Sequence, residues 1–176
     1  MSEDKDEQTP VQPSVDQGKI EAKIREAIGK PEGELTQADF DKVTELDLSW
    51  QKITSLDIDF LRELKQLTIL DLSSNQIGDV APLKELTQLK ELYLEGNPIG
   101  DLTPLKELTQ LTALGLRGVA NCSDMDALMN VLRALPELKW LDIGNNAMIN
   151  DISPLAELTQ LTELRAADNE ISDITA

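Results

Sequence analysis

The sequence predicts an α/β fold in which one short unit coils repeatedly into a right-handed solenoid, with a parallel sheet on the concave face. Three observations support this prediction. The segment 67–88 (LTILDLSSNQIGDVAPLKELTQ) recurs 22 residues later as 89–110 (LKELYLEGNPIGDLTPLKELTQ). Less similar copies of this segment fill most of the remaining chain. Leucines recur at the same places in each copy. A fixed period of this length is typical of stacked repeats, because no unit can bury its own apolar face and stacking creates the core.

The repeats predict five complete units and a sixth that is truncated. Each unit opens with an L-x-x-L-x-L run, in which inward leucines alternate with outward residues as they do in a half-buried strand. Neighbouring strands are therefore expected to pair into one short parallel sheet. Aligned on their leucines, the units cover 43–66, 67–88, 89–110, 111–137, 138–160 and 161–176.

An asparagine and then a proline predict how each unit turns back along the convex face. A short amide side chain after the strand can bond the backbone of the bend and of the next coil. Proline at the first position of a short helix or 3₁₀ turn costs no hydrogen bond. The asparagine position holds Gln51 in the first unit and Val119 in the fourth. The asparagines are Asn75, Asn97, Asn146 and Asn169, and the prolines are Pro82, Pro104 and Pro154.

The N-terminal part of the chain predicts a tail followed by a cap. Residues 1–18 are acidic, polar and interrupted by Pro10, Pro13 and Gly18, which favours a disordered tail. Residues 19–42 predict two helices that cover the open apolar end of the first repeat, the second of them capped by Thr36 with Asp39 three residues later. We expect Trp50, just after the first strand, to pack on this cap.

The fourth unit is 27 residues long and departs from the pattern. Its apolar spacing predicts a true α-helix from about Asp124 to Leu135 on the convex side, capped by Ser123. The preceding loop, 117–123, is expected to protrude. Whether this helix or this loop is a second binding site stays open.

The formal charge of −17 with no histidine restricts the possible partners. Binding to nucleic acid or to anionic membrane surfaces depends on basic patches, so the acidity argues against both, and basic proteins are the electrostatically favoured partners. The alternative is that acidity only keeps the protein soluble. No apolar run reaches the roughly 20 residues of a membrane span. The chain as given predicts a cytoplasmic monomer, or a surface or secreted protein if it is a trimmed piece.

No residue pattern predicts catalysis, a metal or a cofactor. Cys122 has no histidine to act as its base, so an enzyme is not expected. The pairs Asp57/Asp59 and Asp124/Asp126 lack the dense oxygen spacing of a calcium loop. A further aspartate follows the repeat period, which indicates a role in the turn. It occurs as Asp79, Asp101, Asp151 and Asp173.

The motif L-x-x-L-x-L-x-x-N-x-I-x-D-[VLI]-x-P-L-x-x-L-T-Q resembles the 22-residue leucine-rich repeat of bacterial internalin-like proteins, and 24–48 (IREAIGKPEGELTQADFDKVTELDL) is similar to the helical cap before such repeats. The resemblance implies a leucine-rich-repeat solenoid with 3₁₀ or short helices on its convex face, whose concave sheet binds another macromolecule, usually a protein. The chain stops partway through a repeat. We therefore expect either a fragment of a longer array or an open last coil.

The outward strand positions line the concave face and are free to vary, so they are the candidate binding residues. Seven acids and two bases occupy these positions, with three large apolar or aromatic side chains among them. Tyr, Trp and Arg are the residue types enriched at binding hot spots. We predict a non-enzymatic protein-binding site on this face, centred on Tyr93, Arg117 and Trp140, while a structural spacer or regulatory segment without a ligand is the alternative. The predicted site residues are Ile69, Tyr93, Arg117, Trp140 and Arg165.

Overall fold

The computed structural model describes residues 15–55, 58–119, 124–146 and 149–172. It contains one sheet of six parallel strands in sequential order, as the repeats predict. Each strand is three residues long, and each pairs in register with the equivalent strand of the next coil. The strands are β1 Glu45–Asp47, β2 Ile69–Asp71, β3 Glu91–Tyr93, β4 Ala113–Gly115, β5 Trp140–Asp142 and β6 Glu163–Arg165.

The core is a stack of leucine and isoleucine side chains between the sheet and the convex face. The central residue of every strand points inward, and Leu70, Leu92 and Leu114 are fully buried. Burying one such side chain stabilises a fold by about 1.5–3 kcal/mol, so the repeated leucines drive the stacking. The inward position of β6 differs, since Leu164 is 36 % exposed. Leu164 and Ala166, the inward residues of the sixth coil, are therefore only partly buried, because β6 is the last strand of the described sheet.

The N-terminal cap consists of two helices, α1 Val15–Ile28 and α2 Gln37–Phe40. Helix α1 begins before residue 19, so the predicted boundary of the tail was too late, and residues 1–14 lie outside the described residues. We took Gly18 as a helix breaker, but glycine costs only about 1 kcal/mol within a helix. Ile20 and Ile24 of α1 are fully buried, and the helix packs beside β1.

Helix α2 begins with the predicted capping box. The carboxylate of Asp39 accepts hydrogen bonds from the backbone N–H of Thr36 at 3.1 Å and from its hydroxyl at 2.8 Å. Lys30 and Lys42 also bond this carboxylate, and together these donors hold the pKa of Asp39 well below its usual range. The cap is thus fixed by one buried, charge-assisted centre.

Convex returns are 3₁₀ helices, at Ile58–Glu63, Ala81–Glu85, Thr103–Glu107 and Ser153–Glu157. The last three begin with the predicted proline in their first turn. A periodic aspartate serves the turn as predicted, since Asp101 accepts from the N–H of Thr103 at 2.8 Å. Asp79 and Asp151 make the equivalent bond at the same distance, and Asp173 lies outside the described residues.

In the fourth unit the return is a true α-helix, α3 Met125–Leu132, which buries Leu128 and Leu132. The predicted helix was three residues too long at its C-terminal end. Its N-cap is Asp124, whose carboxylate accepts from the N–H of Ala127 at 3.0 Å, and not the predicted Ser123. Residues 120–123 of the predicted loop lie outside the described residues.

A ladder of buried asparagines joins the coils behind the sheet. The side-chain amide of Asn97 donates to the carbonyls of Leu72 and Leu94, both at 2.9 Å, and its oxygen accepts from the N–H of Ile77 at 3.1 Å. Asn75, Asn146 and Asn169 make the corresponding bonds in their coils. Val119 fills the same position in the fourth coil and is buried. The ladder therefore satisfies backbone groups that the tight turns would otherwise leave orphaned.

Candidate functional site

The concave face presents three rows of outward side chains, which the register aligns across the six coils. The first residues of the strands form the first row, their last residues the second row, and the residues two positions further on the third row. The first row is Glu45, Ile69, Glu91, Ala113, Trp140 and Glu163. The second is Asp47, Asp71, Tyr93, Gly115, Asp142 and Arg165, and the third is Ser49, Ser73, Glu95, Arg117, Gly144 and Ala167.

Tyr93 and Trp140 meet in the middle of this face, although β4 separates their strands. Their ring centroids are 5.9 Å apart with an interplanar angle of 69°. Two strand spacings amount to about 9.6 Å, so the rings lean toward one another across β4. They can do so because β4 presents only Ala113 and Gly115 on this face. An edge-to-face pair of this geometry contributes about 0.5–1.5 kcal/mol beyond its buried area.

Arg165 completes the aromatic cluster from the neighbouring strand. The carbon at the centre of its guanidinium lies 5.3 Å from the centroid of the Trp140 ring. Glu163 fixes both partners, since its carboxylate accepts from the indole N–H at 3.0 Å and from the Arg165 Nε at 3.0 Å. The cation–π contact is therefore preorganised by one carboxylate. We call Tyr93, Trp140 and Arg165 the aromatic cluster.

Glu91 holds the Tyr93 side chain through a hydrogen bond. The phenol hydroxyl of Tyr93 donates to the Glu91 carboxylate at 2.8 Å. Burial, followed by this hydrogen bond and by the charges of Glu91, Glu95 and Asp71, raises the pKa of Tyr93 to about 12. The ring is thus oriented by a partner two residues earlier on its own strand.

Glu95 covers the gap that Gly115 leaves in the sheet surface. A Cβ at Gly115 would lie 2.0 Å from a Glu95 carboxylate oxygen, so only glycine leaves room for this carboxylate. The other oxygen of Glu95 accepts from the Ser73 hydroxyl at 2.8 Å. Burial raises the pKa of Glu95, with Asp71 and Asp142 adding like-charge repulsion. This carboxylate is therefore held beside the aromatic cluster at an electrostatic cost.

The aspartates of the second row accept hydrogen bonds from the backbone and also contribute to the negative charge of the concave face. Asp47, Asp71 and Asp142 each accept a hydrogen bond from the N–H two residues later, at 2.8–2.9 Å. In the coils of Tyr93, Gly115 and Arg165 this turn-forming aspartate is missing. Tyr93 and Arg165 therefore occupy positions at which three other coils carry a turn-forming aspartate.

The other two predicted residues lie on the concave face but outside the aromatic cluster. Arg117 forms an ion pair with Asp168, and its guanidinium lies over Gly144, where it is 3.1 Å from the position a Cβ would take. Ile69 is half-buried in the first row, in register with Glu91. The structure thus brings three of the five predicted residues together and leaves Arg117 and Ile69 beside them.

Trp50 corrects one prediction. It does not pack on the N-terminal cap, because 77 % of its surface is exposed. Its exposure was not predicted because Trp50 lies one residue beyond the third row, in the turn, where period-two alternation no longer identifies outward residues. Glu91 and Glu163, which orient the aromatic rings, were recognised as concave residues but not as partners of those rings.

No group of three His, Cys, Asp or Glu side chains capable of holding a metal ion occurs in the described residues. No described helix is long and apolar enough to cross a membrane. The described concave face presents hydrogen-bonding groups, negative charge and one aromatic cluster, and tyrosine, tryptophan and arginine are residue types enriched at protein interfaces.

Comparison with known proteins identifies the family. The sequence model for leucine rich repeats matches residues 41–99. The crystal structure of internalin C2 from Listeria monocytogenes matches with a TM-score of 0.68 and 34 % sequence identity, covering 88 % of this chain and 76 % of that one. The chain belongs to the internalin-like leucine-rich-repeat proteins. Internalin F from the same organism matches this internalin-like chain with a TM-score of 0.60 and 27 % identity, covering 92 % of this chain and 58 % of the other. Among curated proteins, no sequence matches it.

The internalin-like fold carries a general statement about function. Leucine-rich-repeat proteins of this kind are typically protein-interaction modules and not enzymes. The predicted leucine-rich-repeat solenoid and the predicted internalin-like family are both confirmed.

Proposed function

We propose that the concave sheet of this protein binds a protein partner without catalysing a reaction, with the aromatic cluster at the centre of the contact. The observation that carries the proposal is the meeting of Tyr93 and Trp140 across β4, with Arg165 on the indole ring. Such a preorganised group of hot-spot residue types loses little side-chain entropy when a partner docks. Arg117 and Ile69 belong to the periphery of the same surface.

The charge of the face favours a basic partner. Seven carboxylates and two guanidiniums occupy the three rows, and both guanidiniums are already paired with Asp168 or Glu163 inside the protein. The negative field that remains attracts a positively charged surface and speeds its encounter. Nucleic acid and anionic lipid are disfavoured for the same reason.

The test is a selection for peptides on the folded domain. A phage library of random dodecapeptides is panned on the immobilised protein, and the recovered peptides are measured against the Tyr93→Ala/Trp140→Ala double variant. A central hot spot is worth about 2 kcal/mol or more, so the double variant should bind at least about 30-fold more weakly. Its Tm should fall by about 1–6 °C, because the half-buried ring pair contributes about 0.5–1.5 kcal/mol, and far-UV circular dichroism should show that the variant is still folded.

The matched control removes two exposed side chains from the convex side. Arg133 and Glu157 form an ion pair there at 2.8 Å, and the Arg133→Ala/Glu157→Ala variant should bind the peptides normally. Equal affinity for both double variants would refute the concave site. If no recovered peptide binds the unmodified protein more tightly than the Tyr93/Trp140 variant, the alternative is favoured, namely a structural spacer or regulatory segment.

A further inference from the structure

Trp50 is the most exposed large apolar side chain of the described residues, and no function assigned above uses it. It is 77 % exposed, and no ring or cation contact of its indole occurs in the described part of the chain. Its backbone N–H donates to the carbonyl of Ser73 at 3.0 Å. This bond continues the ladder beyond β1, so Trp50 lies at the edge of the concave sheet, in its first coil.

The backbone at this position is unfavourable for tryptophan. Each coil has a residue of positive φ here, and in the other five coils it is glycine or a short polar residue. Only glycine, and to a lesser degree asparagine and aspartate, visits this region readily, whereas a bulky residue there is an outlier. The position is filled by Trp50 (φ 60°), Ser74 (57°), Gly96 (64°), Gly118 (65°), Asn145 (52°) and Asp168 (60°). Trp50 thus combines a strained backbone with an exposed ring, and neither benefits the fold.

The charge around the first coils indicates what such a ring would contact. The nine outward positions of the first three coils carry five carboxylates and no lysine or arginine. Tryptophan is the best aromatic face for a cation, and a guanidinium stacks on it more often than an ammonium. One such contact between a guanidinium and an indole ring occurs within the protein, where Arg165 lies over Trp140. Lys52, two residues after Trp50, is an opposing charge at this coil, and so is Lys19, whose ammonium donates to the carbonyl of Gln51 at 3.0 Å.

We propose that Trp50 is a second anchor of the concave binding surface and receives an arginine side chain from the basic partner. The inference rests on the proposed function, because the same partner spans both ends of the sheet. Four strand spacings separate the coil of Trp50 from that of Trp140, which is about 19 Å. An extended segment of about six residues covers this distance. The partner is therefore a basic polypeptide segment with an arginine about six residues from the part that contacts the aromatic cluster.

The test uses a fluorescent nonapeptide of arginine as the probe, with a nonapeptide of lysine for comparison. Extended, either peptide reaches about 30 Å and can touch both anchors. Replacing Trp50→Asn should weaken arginine-peptide binding about 2- to 5-fold in fluorescence anisotropy at about 0.15 M salt, and should affect the lysine peptide less. Trp50→Phe keeps a ring with the same backbone strain and should lose less than Trp50→Asn. Lys52→Gln should strengthen binding of both peptides.

Stability supplies a second measurement. Because Asn145 already occupies the equivalent position in the fifth coil, Trp50→Asn should leave Tm unchanged or raise it by about 2 °C. A fall of more than about 4 °C would show that Trp50 serves the fold, and this would overturn the proposal.

The binding outcomes separate the two proposals. If Trp50→Asn binds the arginine peptide as well as the unmodified protein does, the Trp50 proposal is wrong, and a loss confined to Tyr93→Ala/Trp140→Ala would still support the concave site. A loss with Trp50→Asn alone would support the Trp50 contact and contradict the central role of the aromatic cluster.

Discussion

Removing Asn97 tests whether the asparagine ladder holds the coils together. In Asn97→Ala, the buried carbonyl of Leu94 loses the donor at 2.9 Å and the N–H of Ile77 loses its acceptor at 3.1 Å. The carbonyl of Leu72 keeps a bond, because Asn75 also donates to it at 2.8 Å. The fourth coil offers no replacement for Leu94, since Val119 stands where an asparagine would donate. Two buried backbone groups are therefore orphaned.

Each orphaned group costs about 1–3 kcal/mol, so Asn97→Ala should destabilise the protein by about 2–6 kcal/mol. At about 2–4 °C per kcal/mol for a chain of this size, Tm should fall by at least about 4 °C. The assay is urea unfolding at pH 7 followed by far-UV circular dichroism. Asn130→Ala is the matched control, because Asn130 is exposed on α3 and alanine is the better helix former.

The two variants should differ clearly in their unfolding midpoints. If the free energies of unfolding of Asn97→Ala and Asn130→Ala agree within about 0.5 kcal/mol, the ladder contributes little, and the reasoning about orphaned backbone groups is refuted.

Two further predictions concern ionisation on the concave face. Tyr93 is the only tyrosine in the chain, so the absorbance of phenolate near 295 nm should report it alone, with a midpoint near pH 12 that Glu91→Gln lowers; a midpoint near 10 would contradict the buried, hydrogen-bonded hydroxyl. The pKa of Glu95 is higher in the folded than in the unfolded protein, so its ionisation destabilises the fold as pH rises above the unfolded value of 4.5. Glu95→Gln should therefore raise the urea midpoint at pH 7, and the gain should disappear below about pH 4; a constant gain at both pH values would exclude ionisation as its cause.

The register of the repeats was predictable because a few residue types recur at a fixed spacing in each unit. A leucine that must be buried and an asparagine that must bond the turn leave few alternatives, so the strands were placed correctly from the sequence. Element ends were less predictable. Gly18 was given too much weight as a helix breaker, and the choice between Ser123 and Asp124 as the cap of α3 depends on local backbone geometry, which spacing alone does not contain.

The sequence predicted that the candidate site residues lie on the concave face, but it did not predict which of them contact one another. Alternation along the strands identifies Tyr93, Trp140 and Arg165 as outward residues. It does not show that two rings from non-adjacent strands touch, because this contact depends on χ angles and on the small residues of β4. Arg117 was predicted to lie at the centre of the binding site because alternation identifies it as an outward residue. Its guanidinium instead pairs with Asp168, 51 positions later in the sequence. Trp50 was wrongly expected to pack on the cap, because in a turn the alternation along a strand no longer indicates which side chains point outward.

The small residues of β4 give this solenoid a property that its binding residues alone do not have. Repeat proteins readily gain or lose whole coils, since each coil contacts only its neighbours. Tyr93 and Trp140 touch only because one coil, and one whose outward side chains are nearly absent, lies between them. An added coil at this point would move the rings apart by a further 4.8 Å or so, and a deleted one would crowd them together. The contact between Tyr93 and Trp140 therefore requires one intervening coil. A binding surface that includes this contact cannot gain or lose a coil between β3 and β5.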